Sequence, residues 1–490
     1  MVRCLNLFFV VVAVACFHPF QSVQAVEPPA AYGAVPTPRQ LAWHELEKYA
    51  FVHFTINTFT DREWGNGDES PKQFNPTDFS AEQIVLAAKA GGLAGLILTA
   101  KHHDGFCLWP TKTTTHNISQ SPYRSGQGDI VREMADACRK HDLKFGIYVS
   151  PWDRNHAEYG QGGYVRVYHD QIRELAANYG PLFEMWFDGA NGGSGFYGGK
   201  RGKRRIDGST YYQWNKVVEI IRAAQPECVI WGMPNADARW GGSEQGVVGD
   251  PCWSTVNLPA PESQFSHGHR NGKSWLPAEA DVSIRPGWFY HTREDSQVKT
   301  PAKLAEIYFA SVGRGANLIL NIPPDRRGRV HETDMAALSG FKGWFDATFG
   351  SNLAAEATLQ ASNVRGADDS QFGPARLLDA NPWTAWATDD NVATPSVTIT
   401  LAQPTRFNVV RLREDIRSGQ RIEGIAVDAM VGDQWKEIAA AGNVGACRLF
   451  RIPAVESQQV RVRVTKSPVC PMLSDFGLFL EPAEKGKKDG

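Results

Sequence analysis

Residues 168–193 read YHDQIRELAANYGPLFEMWFDGANGG. In the first half, Tyr168, Ile172, Leu175, Ala176 and Tyr179 recur at helical spacing and define one apolar face. Gly180-Pro181 stops that helix, since proline cannot continue it. LFEMWF then forms a nearly unbroken apolar run of strand length, the pattern of a strand covered on both faces. The run ends on Asp188 and glycine. Asp-Gly is a common turn pair, so the carboxylate reads either as turn chemistry or as a group held at the mouth of a barrel.

The same unit recurs from about residue 45 to 325. Ser80-Ala-Glu-Gln83 is a capping box opening SAEQIVLAAKA, and LAGLILTA follows as a buried strand. Asp129 opens IVREMADACRKH before KFGIYVS, and YYQWNKVVEIIRAA precedes CVIWGM. Thr300-Pro301 pairs an N-cap with a first-turn proline, and its helix leads to ANLILNI. With YAFVHFTI as first strand, the length holds about eight strand–helix units, which predicts a (β/α)₈ TIM-like barrel. An open doubly wound sheet is the alternative. It would place a glycine-rich phosphate loop after the first strand, and HFTINTF has none.

Beyond about residue 350 the pattern changes to short alternating strands, VTITL, FNVVRL, IAVDAMV and VRVRV. These predict a C-terminal β-sandwich. The expected division is residues 1–25, 26–350 and 351–490. At 490 residues the chain is too long for one ordinary core. The net charge of −2 gives no footprint for nucleic acid. MVRCLNLFFVVVAVACF followed by VQA at 23–25 reads as a secretory signal peptide cleaved after Ala25. The protein is therefore expected to be exported, periplasmic or secreted, rather than lipid-anchored through Cys16 or membrane-spanning. The six cysteines beyond residue 25 are scattered; Cys447 with Cys470 is the one pair to test for a disulfide, against free buried thiols.

In a barrel, the carboxyl ends of the strands carry the site. Just past the successive apolar runs stand His53 and then Glu63-Trp64; His102, His103 and Trp109; Tyr148 with Trp152, Asp153 and Arg154; Trp186 and Asp188; Asp237, Arg239, Trp240 and Glu244; and later Trp288 and Tyr290. Singly, each is an ordinary structural residue. Together they gather carboxylates, imidazoles and indoles at one rim, which suits glycoside hydrolysis by an acid and a second carboxylate. A metal site is disfavoured because no HxH follows the first strand, no HExxH is present, and adjacent His102 and His103 would point to opposite faces if the strand continued. No cofactor is expected.

KHHDGFCLWP, YVSPWD, MWFDGA, DARWGGSE and ANLILNIPPDRRG resemble the α-L-fucosidases of glycoside hydrolase family 29 over most of residues 40–350. The resemblance implies a retaining exo-α-L-fucosidase acting on a fucosylated glycan, with Asp188 as nucleophile. RWGGSE resembles the RWVGNE of the branch cleaving α-1,3- and α-1,4-linked fucose, which puts the acid/base on Glu244, with Gly241 and Ser243 departing from that pattern. By the same resemblance His53, Glu63, Trp64, His102, His103, Tyr148, Trp186, Arg239 and Trp288 line the sugar pocket, and Asp153 contacts the rest of the glycan. LLDANPWTAW, LREDIRSGQRI and VRVRV resemble a discoidin-like carbohydrate-binding module, which implies either a second glycan contact or a brace for the barrel. GGKRGKRRIDG, between the two carboxylates in sequence, reads as a solvated surface loop. The alternatives are a retaining glycosidase for another sugar, such as an α-galactoside, and a glycan-binding protein without turnover.

Overall fold

A computed structural model describes residues 26–483. Its first part is the expected barrel. Strands β1 (Lys48–Val52), β2 (Gly95–Lys101), β3 (Lys144–Val149), β4 (Glu184–Trp186), β5 (Val229–Trp231), β6 (Arg239–Trp240), β7 (Ala278–Ser283) and β8 (Asn317–Asn321) form one eight-stranded sheet in the order β5-β4-β3-β2-β1-β8-β7-β6. All named pairings in it are parallel, and a parallel bridge between Trp231 and Ala238 joins the two edges.

Period-two alternation sorts the side chains into two layers. Tyr49, Phe51, Ile97, Tyr148, Trp186, Val229, Trp231 and Ile319 form an aromatic-rich cluster inside the barrel. Their strand neighbours Ala50, Val52, Leu96, Leu98, Ile147, Met185, Leu318 and Leu320 pack outward in the core beneath the helices. The same parity carried to the strand ends sends His53, Asp188, Asp281 and Asn321 toward the mouth. Sequence and topology together thus place the polar layer above an aromatic plug.

Helices Ala81–Ala90, Ile130–Lys140, Gly162–Asn178, Trp214–Ala224, Pro301–Ala310 and Glu332–Phe349 cover most of the outside. Ser80, Asp129 and Thr300 each accept a backbone N–H at the start of the helix that the sequence assigns them. No α-helix is found between β5 and β6 or between β6 and β7 among the described residues. Here the strict strand–helix alternation expected from sequence fails.

The C-terminal part fills that side. Strands β9 (Thr358–Ala361), β10 (Trp386–Ala387), β11 (Ser396–Glu414), β12 (Gly424–Val431), β13 (Gln434–Ala441), β14 (Arg448–Lys466) and β15 (Met472–Phe479) form a seven-stranded antiparallel sheet around its own core. Val409, Cys447, Leu449 and Phe479 leave that core and join the barrel's. Asn443 donates to the Cys252 carbonyl at 2.6 Å, the Ser254 N–H donates to Gln420 at 3.0 Å, and Arg448 pairs with Asp250. The apolar contacts supply most of the adhesion, because apolar burial is roughly additive whereas partly exposed ion pairs contribute little.

All six described cysteines are free and buried, so Cys447 and Cys470 form no disulfide. Cys447 belongs to the barrel core, while Cys470 lies beside Arg421 and Asp390. No described helix is long and apolar enough to cross a membrane. The signal-peptide segment lies outside the described residues.

Candidate active site

Asp188 follows β4 directly, and its carboxylate is held by two donors. The Ala190 N–H donates to Oδ1 at 2.7 Å and the Tyr148 hydroxyl donates to Oδ2 at 3.0 Å. Turn chemistry and a place at the barrel mouth therefore coexist in this residue: one oxygen closes the Asp-Gly turn and the other faces the rim. A quarter of the side chain, 25%, remains open to solvent. Tyr148 stacks on Trp186 at 5.2 Å, and Trp186 stacks on Trp231 at 3.7 Å. Trp186 also donates to the buried carboxyl of Glu279 at 2.8 Å. These contacts fix the ring whose hydroxyl positions Asp188.

Three imidazoles stand beside it, each with a defined tautomer. Asn321 donates from Nδ2 to the Trp288 carbonyl and to Ser283, each at 2.8 Å, so its Oδ1 accepts from the backbone N–H and Nδ1–H of His53. His53 Nε2 is then left as an acceptor. Ser150 donates to the Trp152 carbonyl at 2.9 Å, so it accepts from His103 Nδ1, leaving His103 Nε2 as an acceptor 3.9 Å from Asp188. Asn57 donates to the Glu63 carbonyl and to His102 Nδ1, each at 3.3 Å, which makes His102 Nε2 a donor. Burial lowers the pKa of all three, that of His53 to about 3. Neighbouring positive charges add to this for His102, and Asp188 opposes it for His103. Neutral rings of mixed polarity suit sugar hydroxyls, which both donate and accept.

His102 and His103 face the same site, with ring centroids 4.0 Å apart. The alternation expected from sequence does not apply because β2 ends at Lys101, after a register shift between Thr99 and Lys101. Lys101 turns toward the helices and donates to Tyr164 and Gln171.

Glu244 is exposed, on the loop after β6. The indole N–H of Trp288 donates to its Oε2 at 3.1 Å. Trp288 in turn lies 5.2 Å from His53, and Tyr148 lies 5.8 Å from His53. Asp188 is thereby connected to His53 through Tyr148, and Glu244 through Trp288. Asp281 occupies the inward-facing position two residues above Glu279 on β7 and accepts from the Trp240 indole at 2.8 Å. Burial raises its pKa well above the usual carboxylate range, and the charge of Glu244 adds to this. Asp281 is thus a neutral acid beside the loop that carries Glu244.

Glu63 receives the backbone N–H groups of Trp288 at 2.8 Å and Phe289 at 3.1 Å, plus His291 at 2.8 Å. It clamps the loop that presents Trp288. Trp64 is 50% exposed at the rim and meets His103 edge-on at 5.0 Å. Two of the residues singled out from sequence lie deeper. Arg239 is buried and directs its guanidinium to the carbonyls of Phe265, Leu276 and Trp253, bracing the loops. Asp153 is also buried, accepting the N–H groups of Asn155 and His156 with Lys101 at 3.6 Å. Asn321 and Asp281 went unnamed in the sequence although strand parity would turn both inward, and nothing in sequence singles out Ser150 or Asn57, whose roles depend on loop packing.

The aspartate of KHHDG is a further buried acid. Asp104 Oδ1 accepts the Phe106 N–H at 2.7 Å while Oδ2 has no partner, and burial, with the charge of Glu69, pushes its pKa up to about 8. A carboxyl raised in the folded state stabilises most below its unfolded pKa, and that stability is lost as pH rises from about 4 through about 8. Asp104→Asn lacks the titration. Its stability relative to the parent is expected to rise by on the order of a few kcal/mol over that window, read from urea midpoints at both ends. Parallel pH dependence in the two proteins would contradict a neutral Asp104.

The α-L-fucosidase family model matches residues 32–348, and the F5/8 type C domain model matches residues 358–474. Alpha-L-fucosidase 1 of Arabidopsis thaliana is 37% identical, across 91% of this chain and 88% of its own. Among solved structures, a glycoside hydrolase 29 family member from an unknown rumen bacterium is similar with a TM-score of 0.84 and 39% identity, over 94% of this chain and 80% of that one. A Ruminococcus gnavus GH29 fucosidase, solved in complex with fucose, gives a TM-score of 0.85 and 30% identity, over 94% of this chain and 98% of its own.

Proposed function

Since the chain belongs to the α-L-fucosidase family, with the F5/8 type C domain attached, we propose that it is an exported, retaining exo-α-L-fucosidase acting on α-1,3- and α-1,4-linked branches. The observation that carries this reading is the partly open carboxylate of Asp188 at the end of its barrel strand, held by Tyr148 and Ala190. Asp188 attacks the anomeric carbon while Glu244 gives its proton to the departing oxygen. Water then enters, Glu244 removes a proton from it, and the fucosyl–Asp188 ester is cleaved with overall retention. The covering glycan excludes water from the loop that carries Glu244, and the buried Asp281 lies beside that loop.

His53 and His103 accept sugar hydroxyls, His102 donates, and Trp64 and Trp288 cover apolar faces and the C6 methyl. Trp383 of the C-terminal domain, 51% exposed with Arg417 over its ring at 5.6 Å, offers a flat face for a second glycan contact. Removal of the N-terminal segment on export would give a mature protein beginning at Val26.

The test is a substrate panel: an aryl α-L-fucoside, a Lewis trisaccharide and an aryl α-galactoside, with the product anomer followed by NMR. Fucose released first as the α-anomer is the expected result. First release of the β-anomer would overturn retention, and cleavage of the galactoside alone would overturn the sugar assignment. Failure on the trisaccharide with cleavage of the aryl fucoside would remove the branch assignment only.

A further inference from the structure

Residues 200–205 read KRGKRR, five cations in six positions of a chain whose net charge is −2. They form the tip and return strand of a hairpin, Gly193–Gly195 paired with Gly202–Arg204, which starts five residues after Asp188. The hairpin is rigidly mounted. A Cβ on Gly193 would meet Trp152 at 2.9 Å and one on Gly195 would meet Tyr197 at 2.7 Å, so glycine lets this face lie flat on the rings. Tyr197 is buried, accepts from the Trp152 indole at 3.1 Å and donates to the Gly193 carbonyl at 2.8 Å. The Phe196 N–H donates to the Asn66 carbonyl at 3.0 Å. Trp152 itself packs against Trp64 at 5.6 Å and His103 at 5.4 Å. The hairpin therefore rests its Gly193 and Arg204 face on the aromatic wall of the rim, and the register turns Lys203, paired with Ser194, to the outer face.

Its charges are mostly uncompensated. Arg201 pairs with Asp68, and Arg204 lies over the Tyr197 ring at 5.2 Å. Lys200, Lys203 and Arg205 are exposed and have no ion pair among the described residues. The nearby Asp207 is occupied by Ser209 and Thr210 of its own turn. Like charges crowded on one short loop repel each other, so the arrangement costs stability in the free protein and becomes favourable only when an anion approaches. The fixed base spares the backbone's ordering cost on binding, and only the side chains have rotamer freedom to lose.

We propose that Lys200, Lys203 and Arg205 form a subsite for an anionic substituent, a sulfate ester or a sialic-acid carboxylate, on the glycan that carries the fucose. This rests on the fucosidase reading and extends it to the substrate's charge. The test compares kcat/KM for three trisaccharides: a neutral fucosylated parent, its sulfated form and its sialylated form. At low salt, the charged forms are expected to be preferred by about three- to tenfold, the range given by a few exposed ion pairs. The preference should vanish near 0.5 M salt, roughly where screening closes within a few ångströms.

The triple substitution K200E/K203E/R205E should abolish or invert the ratio, and K200Q/K203Q/R205Q should flatten it. Because the readout is a ratio within one preparation, a partly misfolded variant still reports. Preference for only one charged form identifies the group recognised. Equal rates on all three glycans, or a preference surviving both triple variants, would overturn the subsite and leave the fucosidase reading standing. No fucose release from any of them, or from the aryl fucoside, would defeat that reading and the subsite with it.

Discussion

Asp188→Gly is expected to lower kcat on an aryl α-L-fucoside by on the order of 10⁴ or more, the scale seen when a covalent nucleophile is deleted. The fold should hold, because the residue is partly open and its two partners, the Ala190 N–H and the Tyr148 hydroxyl, can turn to water. Removing the carboxylate leaves a space beneath the anomeric carbon of the bound sugar. Azide can enter it and attack that carbon as the aryl oxide leaves, giving β-L-fucosyl azide. Restored turnover with that product would identify the missing group as the nucleophile. Full activity in the variant, or no response to azide, would remove Asp188 from the role.

Glu244→Ala is expected to separate substrates by their leaving groups. A sugar departs poorly as an alkoxide, so cleavage of the trisaccharide should fall by about 10² to 10⁴, the usual worth of positioned proton transfer. An aryl fucoside with a good leaving group needs little protonation, and its first step should be far less affected. The basic limb of the pH–rate profile should also disappear, since that limb reports loss of the acid's proton. Equal losses on both substrates would mean that Glu244 only holds the Trp288 indole in place.

Much of this was legible in the sequence for a simple reason. Buried parallel strands are apolar on both faces, and their ends are marked by the first polar residue, so Asp188, His53 and Tyr148 announce themselves. Strand parity even sorts which of them face inward. It stops working where the strand stops, which is why His102 and His103 share a side although adjacent. Arg239 and Asp153 show the other limit. A charged residue at a strand end looks the same in sequence whether it meets a ligand or ties down loop carbonyls and amides. The tautomers of the three histidines depend on Asn321, Ser150 and Asn57, brought in from elements far apart in the chain. The missing helices beside β6 were not foreseeable from local pattern, because the loop that follows β6 is tied instead to Gln420, Asn443 and Arg448, from beyond residue 400.

That borrowed cover fixes an order of events during synthesis. The ribosome delivers the N-terminal part first, at a rate that leaves the nascent barrel waiting seconds for its remaining wall. Until Val409, Cys447, Leu449 and Phe479 emerge, the part of the barrel core they complete, including Phe349 against Phe479, stays open to water and to other chains. A fragment ending at Phe349 would carry every residue of the pocket and still be a sticky intermediate. The two parts consequently mature as one unit, and neither can be exchanged as an interchangeable cassette without remaking the face they share.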